Sequence, residues 1–240
     1  MIREARVFAE TDSMTRAIAE ECLRIVGAAV AQNGRCAICL SGGSTPKALN
    51  ALWARDYASS MPWKQIHLFW GDERYVPHDD PHSNYRMARE TLISHVAIPP
   101  ENINPMPTDY PNPDTAAREY GAILRQFFGA RPEFDILFLG VGTEGHTASL
   151  FPGSPALDES QRWVVAAEVP ADPPKRLSLT YPVINKSPNV FFLVAGAEKR
   201  EIFQTIRRDS GGPTSAYPAA RVEAPRVVWF VDQAAAFGSK

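Results

Sequence analysis

The chain has 240 residues, 45% of them hydrophobic, and its 25 Lys and Arg against 27 Asp and Glu give a formal net charge of −2. This near balance excludes the basic excess of a nucleic-acid-binding domain, and no apolar run approaches the ~20 residues that a membrane span requires. Because the first residues also lack the apolar core of a signal peptide, we expect a cytoplasmic protein with one domain over residues 1–240 and no nucleic-acid or membrane partner.

Strand-like apolar runs alternate with helical patterns in the first half of the chain. The sequence predicts strands at residues 6–9, 36–40, 66–70 and 134–139, and helices at residues 12–32, 45–57, 83–95 and 114–128. Asp12 is the expected N-cap of the first helix, which Asn33 and Gly34 end. The strand at residues 134–139 is rich in large apolar residues, as expected of a central parallel strand.

The second half of the chain is less regular. Strands are predicted at residues 163–169, 176–180, 190–194 and 227–231, and a helix at residues 198–208. The alternation of strands and helices predicts an α/β fold, with a mostly parallel, Rossmann-like sheet and helices on both faces. The irregular part predicts a small subdomain beside that sheet.

Two short motifs resemble redox or metal sites. Cys36 and Cys39 form a C-x-x-C pair within a predicted strand, where residues three apart lie on opposite faces, roughly 10 Å apart. A disulfide needs Cα atoms within about 7 Å, and a zinc site needs a second ligand pair. His78 and His82 flank an acidic loop in which Pro81 breaks helical spacing. The sequence therefore predicts cysteines packed in the core and no metal site.

Ligands of open α/β sheets bind beyond the carboxyl ends of the strands, and three polar loops follow predicted strands here. The first has the sequence Ser-Gly-Gly-Ser-Thr-Pro-Lys, starts at Ser41 and leads into a helix. Gly42 and Gly43 allow a ligand to approach the backbone closely. Ser44, Thr45 and the free N–H groups of a helix start suit an anion. The loop predicts a phosphate site, and a tight turn that caps the helix is the alternative.

The second loop follows the strand at residues 66–70 and contains Asp72, Glu73 and Arg74. Asn84, at the start of the next predicted helix, is expected to face it. Carboxylates and a guanidinium at the carboxyl end of a strand indicate a polar binding site, whereas an exposed turn with a surface ion pair is the alternative.

The third loop, Gly-Val-Gly-Thr-Glu-Gly-His-Thr, follows the strand at residues 134–139 and contains His146. Histidine titrates near neutral pH and suits general-base catalysis, although a histidine that lines a turn is the alternative. Arg176 and Lys199 stand next to predicted strands and are candidates for phosphate contacts, but isolated cations are more often solvated. Neither a G-x-S-x-G motif nor a cysteine occurs in these loops, so a water nucleophile fits better than covalent catalysis.

Four stretches of the chain together resemble the 6-phosphogluconolactonases. They are Leu-Ser-Gly-Gly-Ser-Thr-Pro at residues 40–46, Trp-Gly-Asp-Glu-Arg at residues 70–74 with Ser-Asn-Tyr at residues 83–85, Gly-His-Thr-Ala-Ser-Leu-Phe-Pro-Gly at residues 145–153, and Arg-Leu-Ser-Leu-Thr at residues 176–180. They occur in the order of the family, and the stretch at residues 145–153 is the most specific. The resemblance implies the sheet fold that the family shares with the glucosamine-6-phosphate deaminases.

The resemblance also implies a reaction: hydrolysis of 6-phosphoglucono-δ-lactone to 6-phosphogluconate, the second step of the oxidative pentose phosphate pathway, without a cofactor. The resulting assignments are a base at His146, catalytic partners at Asp72 and Arg74, and substrate contacts at Gly42, Gly43, Ser44, Thr45, Glu73, Asn84, Arg176 and Lys199. The family commonly has Asp where this chain has Glu144, so we leave Glu144 out of the catalytic set.

Two rival functions use related folds. In sugar-phosphate deaminase-isomerases the histidine is followed by Ile-Ala-Phe-Asn-Glu-Pro, whereas His146 is followed by Thr-Ala-Ser-Leu-Phe-Pro, which lacks the catalytic Glu. A non-enzymatic sugar-phosphate-sensing domain is expected beside a DNA-binding segment, and none is recognisable in this sequence. The presence of both Asp72 and His146 also favours an enzyme.

Overall fold

The main sheet consists of six parallel strands. The structure, a computed structural model, describes residue 2 and residues 4–209 and 211–237. Its strands are β1 (Glu4–Phe8), β2 (Cys36–Leu40), β3 (Ile66–Trp70), β4 (Asp72–Arg74), β5 (Ile136–Leu139), β6 (Val164–Glu168), β7 (Lys175–Leu179), β8 (Val190–Val194) and β9 (Val227–Asp232). In the main sheet they lie in the order β1-β9-β8-β5-β2-β3, and every neighbouring pair is parallel.

Helices connect the parallel strands. They are α1 (Thr11–Asn33), α2 (Ser44–Asp56), α3 (Asn84–Thr91), α4 (Pro113–Phe128), α5 (Tyr181–Ile184), α6 (Arg200–Arg208) and α7 (Gln233–Phe237). Helices α1 and α2 pack against each other, and α1 also contacts β1, β2 and β9. Two parallel neighbouring strands must be joined by a crossover connection, usually a helix, so a sequence in which strands and helices alternate folds into a parallel sheet. The predicted α/β fold with a mostly parallel sheet is confirmed.

A second, antiparallel sheet stands where the sequence predicted an irregular subdomain. It has three strands in the order β4-β7-β6. Asp72–Arg74 was predicted to lie in a polar loop, because three polar residues become a strand only by pairing with β7, far along the chain. Gly71 joins β3 directly to β4: its N–H donates to Leu40 O at 2.9 Å, and its carbonyl accepts from Leu179 N at 2.8 Å. The small sheet therefore begins at the carboxyl edge of the main sheet.

The N-cap of α1 is Glu10 and not the predicted Asp12. Glu10 has extended backbone geometry, and its N–H donates to Ser13 Oγ at 3.3 Å. Asp12 lies in the first turn instead, where a negative charge is favourable because the N–H ends of the peptide dipoles point towards it. The N-cap therefore lies two residues earlier than predicted.

Two other predicted helices are shorter than expected because a 3₁₀ turn replaces one end of each. Helix α3 ends at Thr91, since Leu92 leaves helical geometry, and a 3₁₀ turn follows at Ile93–His95. A second 3₁₀ turn, Ala197–Lys199, precedes α6. Tighter turns of this kind are frequent at helix ends.

The core is built mainly from the strands of the main sheet. Every residue of β2 and β8 is buried. Cys22, Cys36 and Cys39, all within the described residues, are buried free thiols, and burial raises the pKa of each. Core packing of the cysteines is thus confirmed. Of the helices in the described part of the chain, none has the length and apolar character needed to cross a membrane. The single domain over residues 1–240 stays a prediction.

Candidate active site

A cavity of about 280 Å³ opens at the carboxyl end of the main sheet. Loops that follow β2, β5 and β8 line it together with β4 and the start of α3, as expected for a ligand site in an open α/β sheet. Of the residues assigned from the sequence, the cavity brings together Gly42, Gly43, Ser44, Thr45, Asp72, Arg74, Asn84, His146 and Lys199. Glu73 and Arg176 are not part of its lining.

The loop after β2 presents the start of α2 to the cavity. Gly43 has φ 103°, a conformation that favours glycine, and leads the chain into the helix at Ser44. The N–H groups of a first helical turn have no partners within the helix, and the helix dipole adds positive potential there. Ser44 and Thr45 also contribute hydroxyl groups to the lining. The arrangement is suited to an anion such as a phosphate group.

Asp72 is nearly buried and is held by two side chains. Its Oδ2 accepts a hydrogen bond from Ser149 Oγ at 2.8 Å. Asn84 Nδ2 donates to the backbone oxygen of Asp72 at 2.9 Å and lies 3.4 Å from its Oδ1. Gly42 packs on the other side of Asn84, since a Cβ at residue 42 would lie 2.0 Å from Asn84 Oδ1. The carboxylate therefore has a defined orientation at the cavity wall.

Glu73 lies beneath the cavity. Successive residues of a strand point to opposite faces, so its neighbours on β4 face the cavity while Glu73 faces α3. Its carboxylate accepts hydrogen bonds from the N–H groups of Arg74, Asn84 and Tyr85 at 2.7, 2.7 and 2.8 Å. Ser83 Oγ donates at 3.1 Å, and burial raises the pKa of Glu73 despite these donors. Glu73 thus fixes the start of α3 and thereby Asn84, and its contact with a substrate stays a prediction.

Arg74 lines the cavity, whereas its neighbour Arg176 does not. The two residues are paired across β4 and β7. Arg74 donates through Nη1 to the carbonyl of His82, and its buried Nε has no hydrogen-bond partner in the described part of the chain. Arg176 donates to Pro173 O at 2.7 Å and to Asp172 O at 3.3 Å. Burial, and then the charge of Arg74, lower the pKa of Arg176. The geometry favours Arg74 as the ligand contact.

His146 stands on a glycine-rich turn after β5. Gly145 has φ 90°, and a Cβ at Gly142 would lie 2.1 Å from His146 Nδ1, so both positions require glycine. The imidazole stacks on Phe151, with ring centroids 4.0 Å apart and planes inclined by 15°. Glu144 Oε1 lies 2.6 Å from His146 Nδ1. With Nδ1 engaged by this carboxylate, Nε2 is the nitrogen available to a ligand.

Glu144, to which no catalytic role was assigned from the sequence, contacts the predicted base His146. Burial alone would raise its pKa, but hydrogen bonds from its own backbone N–H and from His146 outweigh that effect and hold the pKa below the ordinary value. An ionised carboxylate beside Nδ1 favours the tautomer with its proton on Nδ1, which leaves Nε2 able to accept one. Its position two residues before the histidine is visible in the sequence. The contact itself depends on the turn made by the glycines.

Lys199 adds a cation from the loop after β8. It belongs to the 3₁₀ turn Ala197–Lys199. Gly196, at φ 97°, anchors that turn by donating its N–H to the carboxylate of Asp232 at 3.1 Å. Two cations, Arg74 and Lys199, and the start of α2 therefore meet in one cavity. Such a combination attracts an anionic ligand.

The histidines of the acidic loop have separate partners. His78 Nε2 lies 2.8 Å from Met106 O, and His82 Nδ1 lies 2.9 Å from Asp80 Oδ1. Within the described residues, no group of three or more His, Cys, Asp or Glu side chains is placed to hold a metal ion. The ionisable groups that line the cavity are the imidazole of His146, the carboxylates of Asp72 and Glu198, and the cations Arg74 and Lys199.

Comparison with known proteins identifies the family of the chain. The family described as glucosamine-6-phosphate isomerases/6-phosphogluconolactonase matches residues 9–229. The chain is 43% identical over 212 residues to a 6-phosphogluconolactonase of Synechocystis sp., covering 86% of each chain. It is 38% identical over 246 residues to one of Mycobacterium tuberculosis, covering 98% of each. The solved 6-phosphogluconolactonase of Thermotoga maritima has a TM-score of 0.83 and 29% identity, over 96% of this chain and 99% of that one.

Proposed function

The chain belongs to the family of glucosamine-6-phosphate isomerases and 6-phosphogluconolactonases, and we propose that it hydrolyses 6-phospho-D-glucono-1,5-lactone to 6-phospho-D-gluconate. The observation that carries the proposal is His146, held by Glu144 at 2.6 Å, in the same cavity as the anion site at the start of α2. In this role the enzyme acts in the cytoplasm, needs no cofactor and performs the second step of the oxidative pentose phosphate pathway.

Water is the nucleophile, and His146 Nε2 is the base. It removes a proton from the water as the water oxygen bonds to the lactone carbonyl carbon, C1. The bond between C1 and the ring oxygen then breaks, and the imidazolium returns the proton to that oxygen. At neutral pH the products are a carboxylate, a C5 hydroxyl and one released proton. Because a δ-lactone is an activated ester, one positioned base is sufficient.

Asp72 and Arg74 act at the reacting end of the substrate. Asp72 orients the attacking water and stabilises the imidazolium that forms at His146. The negative charge that develops on the carbonyl oxygen needs donors that are already in place. Arg74 lines the cavity, so its guanidinium is a donor from which this oxygen can accept.

The phosphate group binds at Ser44, Thr45 and Lys199, which belong to the segments after β2 and β8. It does not react, but its binding energy holds C1 against His146 and the water. Arg176 contributes indirectly, because it ties the loop that carries Pro173 to β7.

A deaminase-isomerase of the same family is the second candidate, and one contact argues against it. The position of the catalytic Glu in those enzymes, five residues after the histidine, holds Phe151, which stacks on His146. Wild-type protein is expected to release protons from freshly prepared phosphorylated lactone faster than the spontaneous reaction, and to release no ammonia from glucosamine 6-phosphate. Ammonia release with turnover, without lactone opening, would favour the deaminase.

Replacing Glu144 by glutamine should lower kcat at least about tenfold, because the imidazolium loses its charged partner. The loss should stay below the ~10⁴-fold of a fully buried triad carboxylate, since the Glu144 side chain is 44% exposed. Glu144→Asp, which keeps the charge, is the control, and a Gln variant with wild-type rates contradicts the assignment.

Replacing Gly42 by alanine should lower kcat/KM by ~10²-fold, as displacements of about 1 Å in active sites do. The new Cβ would lie 2.0 Å from Asn84 Oδ1 and must move the side chain that holds Asp72. Gly27→Ala is the matched control, because a Cβ there meets nothing within 4 Å. Steady-state rates of both variants measure the loss of activity, and their melting temperatures show whether either substitution destabilises the fold. Equal kinetics for the two would show that the Gly42 contact is unimportant.

A further inference from the structure

Ser149 joins the loop of the base to the strand of Asp72. Its hydroxyl donates to Asp72 Oδ2 at 2.8 Å, and the residue is only 1% exposed. Building on the lactonase function above, we propose that Ser149 is a positioning residue, whose hydroxyl orients the Asp72 carboxylate and holds it in a fixed position relative to His146. Ser149 is absent from the cavity lining, so it acts through Asp72 and not on the substrate.

A tight turn sets the relation between His146 and Ser149. Thr147 and Leu150 bridge across it, with Leu150 N–H donating to Thr147 O at 2.9 Å and Thr147 N–H donating to Leu150 O at 3.4 Å. Between them, Ala148 has φ 48°, a conformation that residues with a Cβ rarely adopt. Such a conformation persists only where the surroundings over-determine it. The turn places the imidazole in the cavity and, three residues on, the hydroxyl against Asp72.

Strand β7 anchors Ser149 from the other side. Ser178 lies opposite Asp72 in the pairing of β4 with β7. Its Oγ accepts a hydrogen bond from Ser149 N–H at 3.1 Å and donates to Leu179 O at 2.9 Å. Because both its backbone N–H and its hydroxyl are used, Ser149 has one position relative to Asp72. The antiparallel sheet and the His146 turn are thus connected through this side chain.

Loss of the Ser149 hydroxyl leaves Asp72 Oδ2 without its donor in a nearly buried site. Asn84 does not compensate, because its amide lies closer to the Asp72 carbonyl, at 2.9 Å, than to Oδ1, at 3.4 Å. The carboxylate is then able to rotate away from the water and the imidazolium. The phosphate contacts at the start of α2 are on a different loop. Loss of the Ser149 hydroxyl should therefore lower kcat and leave KM nearly unchanged.

The test is a double-mutant cycle of wild type, Ser149→Ala, Asp72→Asn and the double variant, with rates of lactone opening measured over a range of substrate concentration. Ser149→Ala should lower kcat about tenfold or more, the scale for a hydrogen bond to a charged group, with KM changed less than about threefold. In the Asp72→Asn background the same substitution should change kcat less than about twofold. Ser187→Ala removes an equally buried hydroxyl, bonded to Val183 O outside the cavity lining, and should leave rates unchanged.

The outcomes separate this inference from the proposed function. If wild type does not accelerate lactone opening, the proposed function fails, and the role of Ser149 fails with it. If wild type is active but Ser149→Ala lowers kcat equally in both backgrounds, or not at all, only the role of Ser149 is overturned. Should the alanine variant not fold, Ser149→Cys, nearly isosteric but a weaker donor, takes its place in the cycle.

Discussion

Replacing His146 by alanine is expected to lower kcat for opening of the phosphorylated lactone by ~10²-fold or more, the usual contribution of a positioned base. Glu144 orients the imidazole but does not reach the cavity lining itself, so it cannot take over as the base. KM should change little, because the phosphate contacts belong to the loops after β2 and β8. Initial rates at saturating substrate give the comparison.

The control for that experiment is His95→Ala. His95 lies outside the cavity lining, and its Nε2 is 2.9 Å from Glu90 O. The His146 variant also loses the stacking contact with Phe151, so its melting temperature and circular dichroism must show a folded protein. A folded His146→Ala protein with a kcat close to that of wild type would remove His146 from the role of base.

Removing the phosphate from the substrate should have the largest effect of all. Glucono-1,5-lactone carries the same reactive carbonyl but cannot use the anion site at the start of α2 or Lys199. Since remote binding energy is what holds C1 against the base, kcat/KM should fall by roughly 10³-fold or more, and kcat should fall with it. A kcat on glucono-1,5-lactone close to that on the phosphorylated substrate would contradict the assigned phosphate site.

Single substitutions refine this comparison. Lys199→Ala should lower kcat/KM for the phosphorylated lactone by an amount that corresponds to roughly 1.5–3 kcal/mol of lost transition-state stabilisation, the range for a hydrogen bond to a charged group. It should barely change kcat/KM for the slow reaction of glucono-1,5-lactone. Arg176→Ala should lower both reactions alike, because Arg176 donates to the carbonyls of Asp172 and Pro173 and does not line the cavity. A selective loss with the phosphorylated substrate would restore Arg176 to the phosphate contact that the sequence predicted.

Elements that depend on local sequence were predictable. The bounds of β2, β3 and β8 agree with prediction because each is a short, strongly apolar run between polar loops. Three of the segments that line the cavity were also identified, since strand ends followed by glycine and polar residues mark ligand sites in this class of fold. His146, Asp72 and the loop at residues 41–45 meet in the cavity for that reason.

Features that depend on distant pairing were not predictable. Strand β4 forms only because β7 pairs with it, and that pairing turns Glu73 away from the cavity and sets Arg176 beside Arg74. The contact between Glu144 and His146 requires the glycine turn, and the one between Ser149 and Asp72 requires the left-handed conformation of Ala148. A linear pattern of residue types carries none of these through-space relations.

The most direct measurement is proton release from freshly prepared 6-phospho-D-glucono-1,5-lactone at neutral pH, in weak buffer, with micromolar wild-type protein. The same concentration of the folded His146→Ala variant and a protein-free solution are followed in parallel. Wild type should open the lactone far faster than the protein-free solution does, and the acceleration by the variant at the same concentration should be smaller by ~10²-fold or more. A wild-type rate equal to the spontaneous one would contradict the assignment of this cavity to lactone hydrolysis.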